Sequence, residues 1–325
     1  MQKRIFITGI AGFIGMHLAL HLKRRGDYVV GCDNFNDYYD PFLKRQREEV
    51  LKKENISTLF CDIRDRKTLE SVFAQDAITH VVHLAAQAGV RYSLLHPEKY
   101  VESNLDGFVQ VLEAVRAYPH IKLTYASSSS VYGLNQKVPF SEGDATDLPA
   151  SLYGSTKKSN ELMAHAYHHL YGIAVTGLRF FTVYGPYGRP DMAYYSFTKS
   201  ILQEERISLF HEGLMQRDFT YIDDIVSGIA KAIDKECPCE IFNLGNNQPQ
   251  TVLSLVAIIE KHLNKKAKIE HLPKPPGDVM ITYADISKSQ KILGYFPTTS
   301  LEEGMQKFIQ WYQRAAVKKP LAALQ

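Results

Sequence analysis

Apolar residues in the first 180 positions come in short runs separated by longer amphipathic stretches. The runs at 3–8, 28–32, 56–61, 79–84, 121–127 and 174–180 are rich in Ile, Val, Phe and Tyr, and they predict strands. Segments near 13–25, 42–54, 65–74, 97–118 and 151–171 repeat apolar positions at helical spacing. Strand–helix alternation predicts a parallel sheet covered on both faces, which binds ligands beyond the carboxyl ends of its strands. The expected fold is therefore α/β: a doubly wound, Rossmann-type sheet over residues 1–180. After Phe180 the pattern loosens, and Pro and Gly cluster at 184–190 and 273–277. Residues 181–325 read mainly as a smaller α/β lobe that binds substrate, with return segments near 216–250 rejoining the first sheet. The charged run at 44–54 reads as a solvated helix.

Composition narrows the partners. The 325 residues are 45% hydrophobic and 22% charged, with a formal charge of +3. So small and dispersed an excess argues against nucleic acid or an anionic membrane as partner. No apolar run reaches transmembrane length, and the N-terminus enters a strand at once, without a signal-peptide pattern. A cytoplasmic location is expected. Four cysteines make no disulfide framework in a chain this long. Cys32 and Cys61 fall near strand ends and are expected to be buried. Cys237 and Cys239 lack a nearby His or second Cys pair, and His165 and His169 lack a carboxylate motif, so no metal is expected.

The glycines Gly9, Gly12 and Gly15 lie between the first strand and the first helix, where they permit a tight turn and close approach of backbone to a pyrophosphate. The second strand ends at Asp33, an acid placed to accept hydrogen bonds from a ribose 2′-hydroxyl and to repel a 2′-phosphate. NAD, rather than its 2′-phosphorylated form, is the expected cofactor. Tyr153 and Lys157 share one helix face at i,i+4. The same spacing occurs at Tyr118/Lys122 and Tyr195/Lys199, but only Tyr153 opens a long helix downstream of the fifth strand. A nearby ammonium favours the phenolate, which makes tyrosine a usable base.

The GxxGxxG spacing and the YxxxK pair resemble the short-chain dehydrogenase/reductase superfamily. The resemblance implies Ser128, aligned on Val131-Tyr132-Gly133, as the third catalytic residue with Tyr153 and Lys157. It implies cofactor contacts from Phe13, Ile14, Asn34, Asp62, Ile63, Leu84, Ala85, Ala86 and Phe180 beside the glycines and Asp33. Sugar-nucleotide dehydratases carry an Asp-Glu pair after this serine, and UDP-glucuronate decarboxylases a Glu before Val-Tyr-Gly. Ser129 and Ser130 stand here instead, which leaves oxidation followed by re-reduction.

Several further segments resemble UDP-glucuronate 4-epimerases. They include Asp33-Asn-Phe-Asn-Asp-Tyr-Tyr-Asp-Pro41, His83-Leu-Ala-Ala-Gln-Ala-Gly-Val-Arg91 and Arg217-Asp-Phe-Thr-Tyr-Ile-Asp-Asp224. The similarity runs from the first strand to about Tyr312. It implies reversible C4 epimerisation of UDP-glucuronate to UDP-galacturonate with tightly bound NAD. Arg91, Ser128, Ser129, Ser130, Thr182, Arg189, Arg217 and Asp278 are the implied substrate contacts. Pro275 and Pro276 stand where some relatives have an Arg. A homodimer through helices 97–118 and 151–171 is implied as well, with Val101, Leu105, Phe108, Val111, Leu112 and Val115 on a broad apolar face that serves equally to cover the sheet. The competing readings are a 4-epimerase of neutral UDP-hexoses or UDP-N-acetylhexosamines, and a non-catalytic NAD-binding sensor.

Overall fold

A computed structural model of the chain describes residues 2–273 and 279–317. Seven parallel strands form its central sheet, in the order Ser57–Phe60, Tyr28–Asp33, Arg4–Thr8, His80–His83, Lys122–Ser128, Val175–Phe180 and Cys239–Leu244. The six strands expected from the apolar runs all form, with ends shifted by one residue or so. The seventh comes from the returning segment, pairing Cys239–Leu244 with Val175–Phe180. Strand order reverses between Arg4–Thr8 and His80–His83, where Thr8 pairs with Cys32 on one side and His83 on the other. Such a reversal opens a crevice at the carboxyl ends of the strands.

Helices cover both faces. The one that carries Tyr153 and Lys157 spans Leu152–Tyr171. The Ser151 hydroxyl caps its start by accepting from the Gly154 N–H, and Gly172, at φ 70°, ends it in the left-handed region. One apolar cluster packs Phe6 and Val81 against Phe108, Val111, Leu112 and Val115. These four residues cover the sheet, which was the alternative to a partner face. Val101 remains exposed, with Leu162, Leu170 and Tyr171 of the Leu152–Tyr171 helix. The cluster on the opposite face runs from Ile5, Ile7 and Leu18 to Ile222, Ile225 and Phe308, and so joins the sheet to the C-terminal segments.

Those segments add short strand pairs: Arg206–Phe210 with Lys268–Leu272, Thr182–Tyr184 with Phe219–Tyr221, and Gln216–Arg217 between Gln250–Thr251 and Ile281–Thr282. No helix among the described residues is long and apolar enough to cross a membrane.

One expectation is overturned. The helix Pro41–Lys53 is not solvated throughout: Lys44, Arg47 and Glu48 are buried. The segment before it folds over the crevice, so the polar face of the helix meets loops rather than water. Lys44 reaches Asp33 and Asn36, Arg47 reaches backbone carbonyls, and Glu48 pairs with Arg45 and Lys52.

Candidate active site

A cavity of about 260 Å³ occupies the crevice. Its walls include the glycine loop (Gly9, Gly12, Phe13, Ile14, Gly15) and Asp33, Asn34, Asp62 and Ile63. Leu84, Ala85, Ala86, Ser128, Tyr153, Lys157, Phe180 and Arg189 complete the set of expected residues along it. Gly9 has φ 71°, and a Cβ there would sit 2.8 Å from the Ala85 amide nitrogen, so two backbones meet where only glycine fits.

The polar framework behind the cavity fixes its shape. Thr8 Oγ1 lies 2.8 Å from His83 Nδ1 and accepts from the Ala85 N–H, tying the first strand to the fourth. Burial, with the nearby Lys157 charge adding to it, pushes His83 down to about 3, so the ring stays neutral. Asn34 donates to Asp62 at 3.2 Å. Burial alone would raise Asp62, but hydrogen bonds from Arg64 and Asn34 outweigh it and keep the carboxyl below its usual value. Asp33 accepts from the Phe35 N–H at 2.8 Å and lies 3.5 Å from Lys44 Nζ. Burial lowers Lys44, and Asp33 offsets part of that.

The four consecutive serines separate by role. Ser127 donates to Glu161 at 2.6 Å, and Glu161 accepts two bonds from Arg179 at 2.8 Å. Ser128 ends the strand on the cavity wall, and its oxygen accepts from the Ser130 N–H at 3.1 Å. Ser129 and Ser130 belong to the 3₁₀ turn Ser129–Tyr132 that follows.

Tyr153 is half-buried, and its ring meets Tyr100 edge-on with centroids 6.1 Å apart. Burial raises the phenol, while the Ser128 hydroxyl and the Arg189 charge pull it down. Lys157 donates to the Ala126 carbonyl at 3.0 Å. Lys157 is 2% exposed, and burial lowers its ammonium to about 8.

Arg189 makes two bonds to Asp191, and Tyr38 donates to the same carboxylate at 3.1 Å. Burial, with Asp191 adding to it, holds Tyr38 up at about 12. The remaining expected substrate residues stand outside the cavity walls. Ser129 and Ser130 open the 3₁₀ turn that Ser128 caps, and Thr182 lies on the strand Thr182–Tyr184. Arg91 sits over the Phe210 ring at 5.1 Å. Arg217 donates to the Gln216 carbonyl at 2.8 Å. Asp278, with Pro275 and Pro276, lies outside the described residues.

Several site residues escaped the sequence reading. Asn36, Tyr38, Tyr39, Lys44 and Gln87 all line the cavity. Asn104, in the π-helical segment Val101–Asp106, exchanges hydrogen bonds with the Gln87 backbone and donates to Thr156, while Asn160 donates to the Asn104 carbonyl. Asn104 standing as the polar position on the helix face shared by Tyr100, Val101, Leu105 and Phe108 was the available signal.

A Rossmann sheet whose crevice carries a glycine loop, an acid after the second strand and a Ser–Tyr–Lys set defines a short-chain dehydrogenase/reductase of the extended type. The family model described as GDP-mannose 4,6 dehydratase matches residues 6–308. UDP-glucuronate 4-epimerase 1 of Arabidopsis thaliana is 52% identical over 326 residues, covering 95% of this chain and 76% of the plant protein. The crystal structure of UDP-glucuronic acid 4-epimerase from Bacillus cereus with UDP-glucuronic acid and NAD superposes with a TM-score of 0.90 at 35% identity, covering 96% of this chain and 100% of that one. UDP-glucose 4-epimerase from Thermotoga maritima with UDP-glucose follows at a TM-score of 0.87 and 30% identity, covering 97% of this chain and 100% of that one. The chain belongs to the UDP-glucuronate 4-epimerase family, within the larger group that the dehydratase model describes.

Proposed function

We propose that the protein is an NAD-dependent UDP-glucuronate 4-epimerase, interconverting UDP-glucuronate and UDP-galacturonate through a 4-keto sugar. One observation carries this reading: Ser128, Tyr153 and Lys157 are grouped on one cavity, while the two positions after Ser128 are serines. Elimination of water needs an acid and a base beside the sugar, and Ser129 and Ser130 supply neither. The reaction in the matching family model's description is therefore not carried over.

The cavity fits a dinucleotide: backbone without side chain at Gly9, an acid at Asp33 and a second at Asp62 line it. When bound, NAD supplies an acceptor, and then a donor, for the hydride at C4. Tyr153 takes the C4 hydroxyl proton and later returns it. Ser128 hydrogen-bonds the same oxygen as charge develops there. Lys157 holds the nicotinamide ribose and keeps a positive charge near the phenolate. The sugar must present both faces to one hydride position, so it turns about its diphosphate linkage, which Arg217 grips.

A 4-keto uronate is a β-keto acid, and it loses carbon dioxide when the breaking bond stands perpendicular to the ketone plane. In this reading Ser129, Ser130 and Thr182 hold the carboxylate away from that alignment, with Arg91 or Arg189 adding charge-assisted bonds. Residues 181–325 are mainly the UDP-sugar lobe, apart from the strand that rejoins the sheet. The same reading makes the protein a cytoplasmic homodimer. The exposed Val101, Leu162, Leu170 and Tyr171 support a paired surface, and four free cysteines fit a reducing compartment.

Proton NMR of UDP-glucuronate with purified protein and no added reductant tests the assignment. A new anomeric signal from UDP-galacturonate, approaching a constant ratio to substrate, is expected. Turnover of UDP-glucose or UDP-N-acetylglucosamine alone would keep the redox mechanism and discard the uronate.

A further inference from the structure

Arg47 is among the largest fully buried side chains of the described residues, at 0% exposure, yet its hydrogen bonds there go to uncharged oxygens. Buried cations are ordinarily matched by a carboxylate, because an unmatched one loses its hydration without return. Arg179, on the strand Val175–Phe180, has that match in Glu161. A guanidinium kept without one points to a task that needs its fork of donors in a fixed place.

Three separate segments receive those donors. Nη1 donates to the Ala11 carbonyl at 3.2 Å, inside the glycine loop, and to the Tyr39 hydroxyl at 2.6 Å. Nε and Nη2 both donate to the Tyr187 carbonyl, at 3.1 and 2.7 Å. Tyr187 is a non-glycine residue at φ 59°, and its turn leads directly into Arg189. The turn is pinned twice more: His17 Nε2 lies 2.9 Å from the Pro186 carbonyl, and the Tyr187 ring packs on Trp311 at 4.9 Å. A left-handed non-glycine backbone costs about 1–3 kcal/mol and persists only where its surroundings hold it.

We infer that Arg47 is a positioning residue: it registers the turn at 185–189 against the glycine loop and so holds the Arg189 side chain on the cavity. The inference rests on the reading of this cavity as a dinucleotide and UDP-sugar site. Lysine keeps the charge at this position but loses the planar fork that bridges Ala11 and Tyr187. Glutamine loses both.

Calorimetric titration of the NAD-loaded protein with UDP-glucuronate separates this role from a merely structural one. Arg47→Lys is measured alone and combined with Arg189→Ala, with melting temperature and retained NAD recorded for each protein. Arg47→Lys is expected to weaken binding roughly tenfold, the scale of one charge-assisted bond lost or misaligned. In the Arg189→Ala background the same change should cost less than about threefold, because the group it positions is gone. An equal penalty in both backgrounds, or unchanged binding by Arg47→Lys, overturns the inference. If Arg47→Lys does not fold, Tyr39→Phe removes one acceptor with the arginine in place, and the same pair of backgrounds decides. If the unmodified protein does not bind UDP-glucuronate, the proposed function fails first, and that failure is distinct from a lack of coupling between Arg47 and Arg189.

Discussion

Replacing Lys157 with methionine should stabilise the protein while abolishing its chemistry. Burial lowers the lysine from its ordinary 10.5 to about 8, and its hydrogen bond is to a neutral carbonyl, that of Ala126. Such a shift amounts to about 3 kcal/mol of unfavourable burial at neutral pH. Methionine has similar length and no charge, but it strands the Ala126 carbonyl, at about 1–2 kcal/mol. The net gain at pH 7 is then about 1–2 kcal/mol, or roughly 2–3 °C for a chain of this size.

The sign of the pH dependence is the sharper test. Between the folded value near 8 and the unfolded value of 10.5, the unfolded lysine binds more protons than the folded one. Stability of the unmodified protein therefore rises with pH across that window, and the advantage of methionine shrinks. Thermal unfolding of both proteins, stripped of dinucleotide, at pH 7 and pH 9.5 measures this. About 2 kcal/mol of relative stability should move toward lysine between those two points. A difference that stays constant with pH would mean that Lys157 does not titrate near 8 and that burial is not what governs it.

Three shorter expectations follow from the same geometry. Tyr153→Phe should cost about 10²–10⁴ in turnover, the usual scale for general acid–base catalysis, with NAD retention unchanged; NMR with matched dinucleotide content checks it, and near-normal turnover removes Tyr153 from its role. Ser130→Glu should divert the reaction toward a decarboxylated UDP-pentose, and an unchanged product ratio in the same spectra would sink the account of carboxylate holding. Asp33→Ser removes the charge that repels a 2′-phosphate and leaves Lys44, now 3.5 Å from that carboxylate, to attract one. Its preference for NAD over NADP should fall at least about tenfold in dinucleotide titrations, the scale of one charge-assisted contact; an unaltered preference would show that Asp33 does not discriminate.

What could be read in advance divides along physical lines. The sheet was legible because its strands fall on short local runs of apolar, β-branched and aromatic residues, and even the Gly9 turn announces itself through glycine. The Ser127/Ser128 distinction followed from aligning Val131-Tyr132-Gly133, but the anchor of Ser127, Glu161, lies on a helix more than thirty positions on. The charged helix 41–53 misled because charges recur at the same spacing whether a helix faces water or faces loops. Arg47 finds Tyr187 at a separation of 140 residues, and no local pattern records that meeting. The π-helical segment at 101–106 has no composition of its own, so Asn104 was visible only as a polar residue in an apolar row.

The buried cations divide the structure between fold and function. Arg179 has a two-pronged carboxylate partner in Glu161, which also receives Ser127, so its charge is consumed in fixing the strand Val175–Phe180 against the helix that bears Tyr153. Lys157 and Arg47 make their hydrogen bonds to neutral oxygens: Lys157 lines the cavity, and Arg47 holds backbone carbonyls of the two loops beside it. Arg189 lies between these cases: it pairs with Asp191, but its side chain is 23% exposed, so exchanging that partner for a phosphate requires little further desolvation. The division predicts opposite outcomes for one chemical change. Arg179→Lys breaks a bidentate pair and should lower the melting temperature, at about 3 kcal/mol, with UDP-glucuronate affinity held within about threefold. Arg47→Lys should do the reverse, losing affinity with a smaller loss of stability. If the two variants lose stability and affinity in the same proportion, buried charges here are not sorted by task, and Arg47 is simply part of the core.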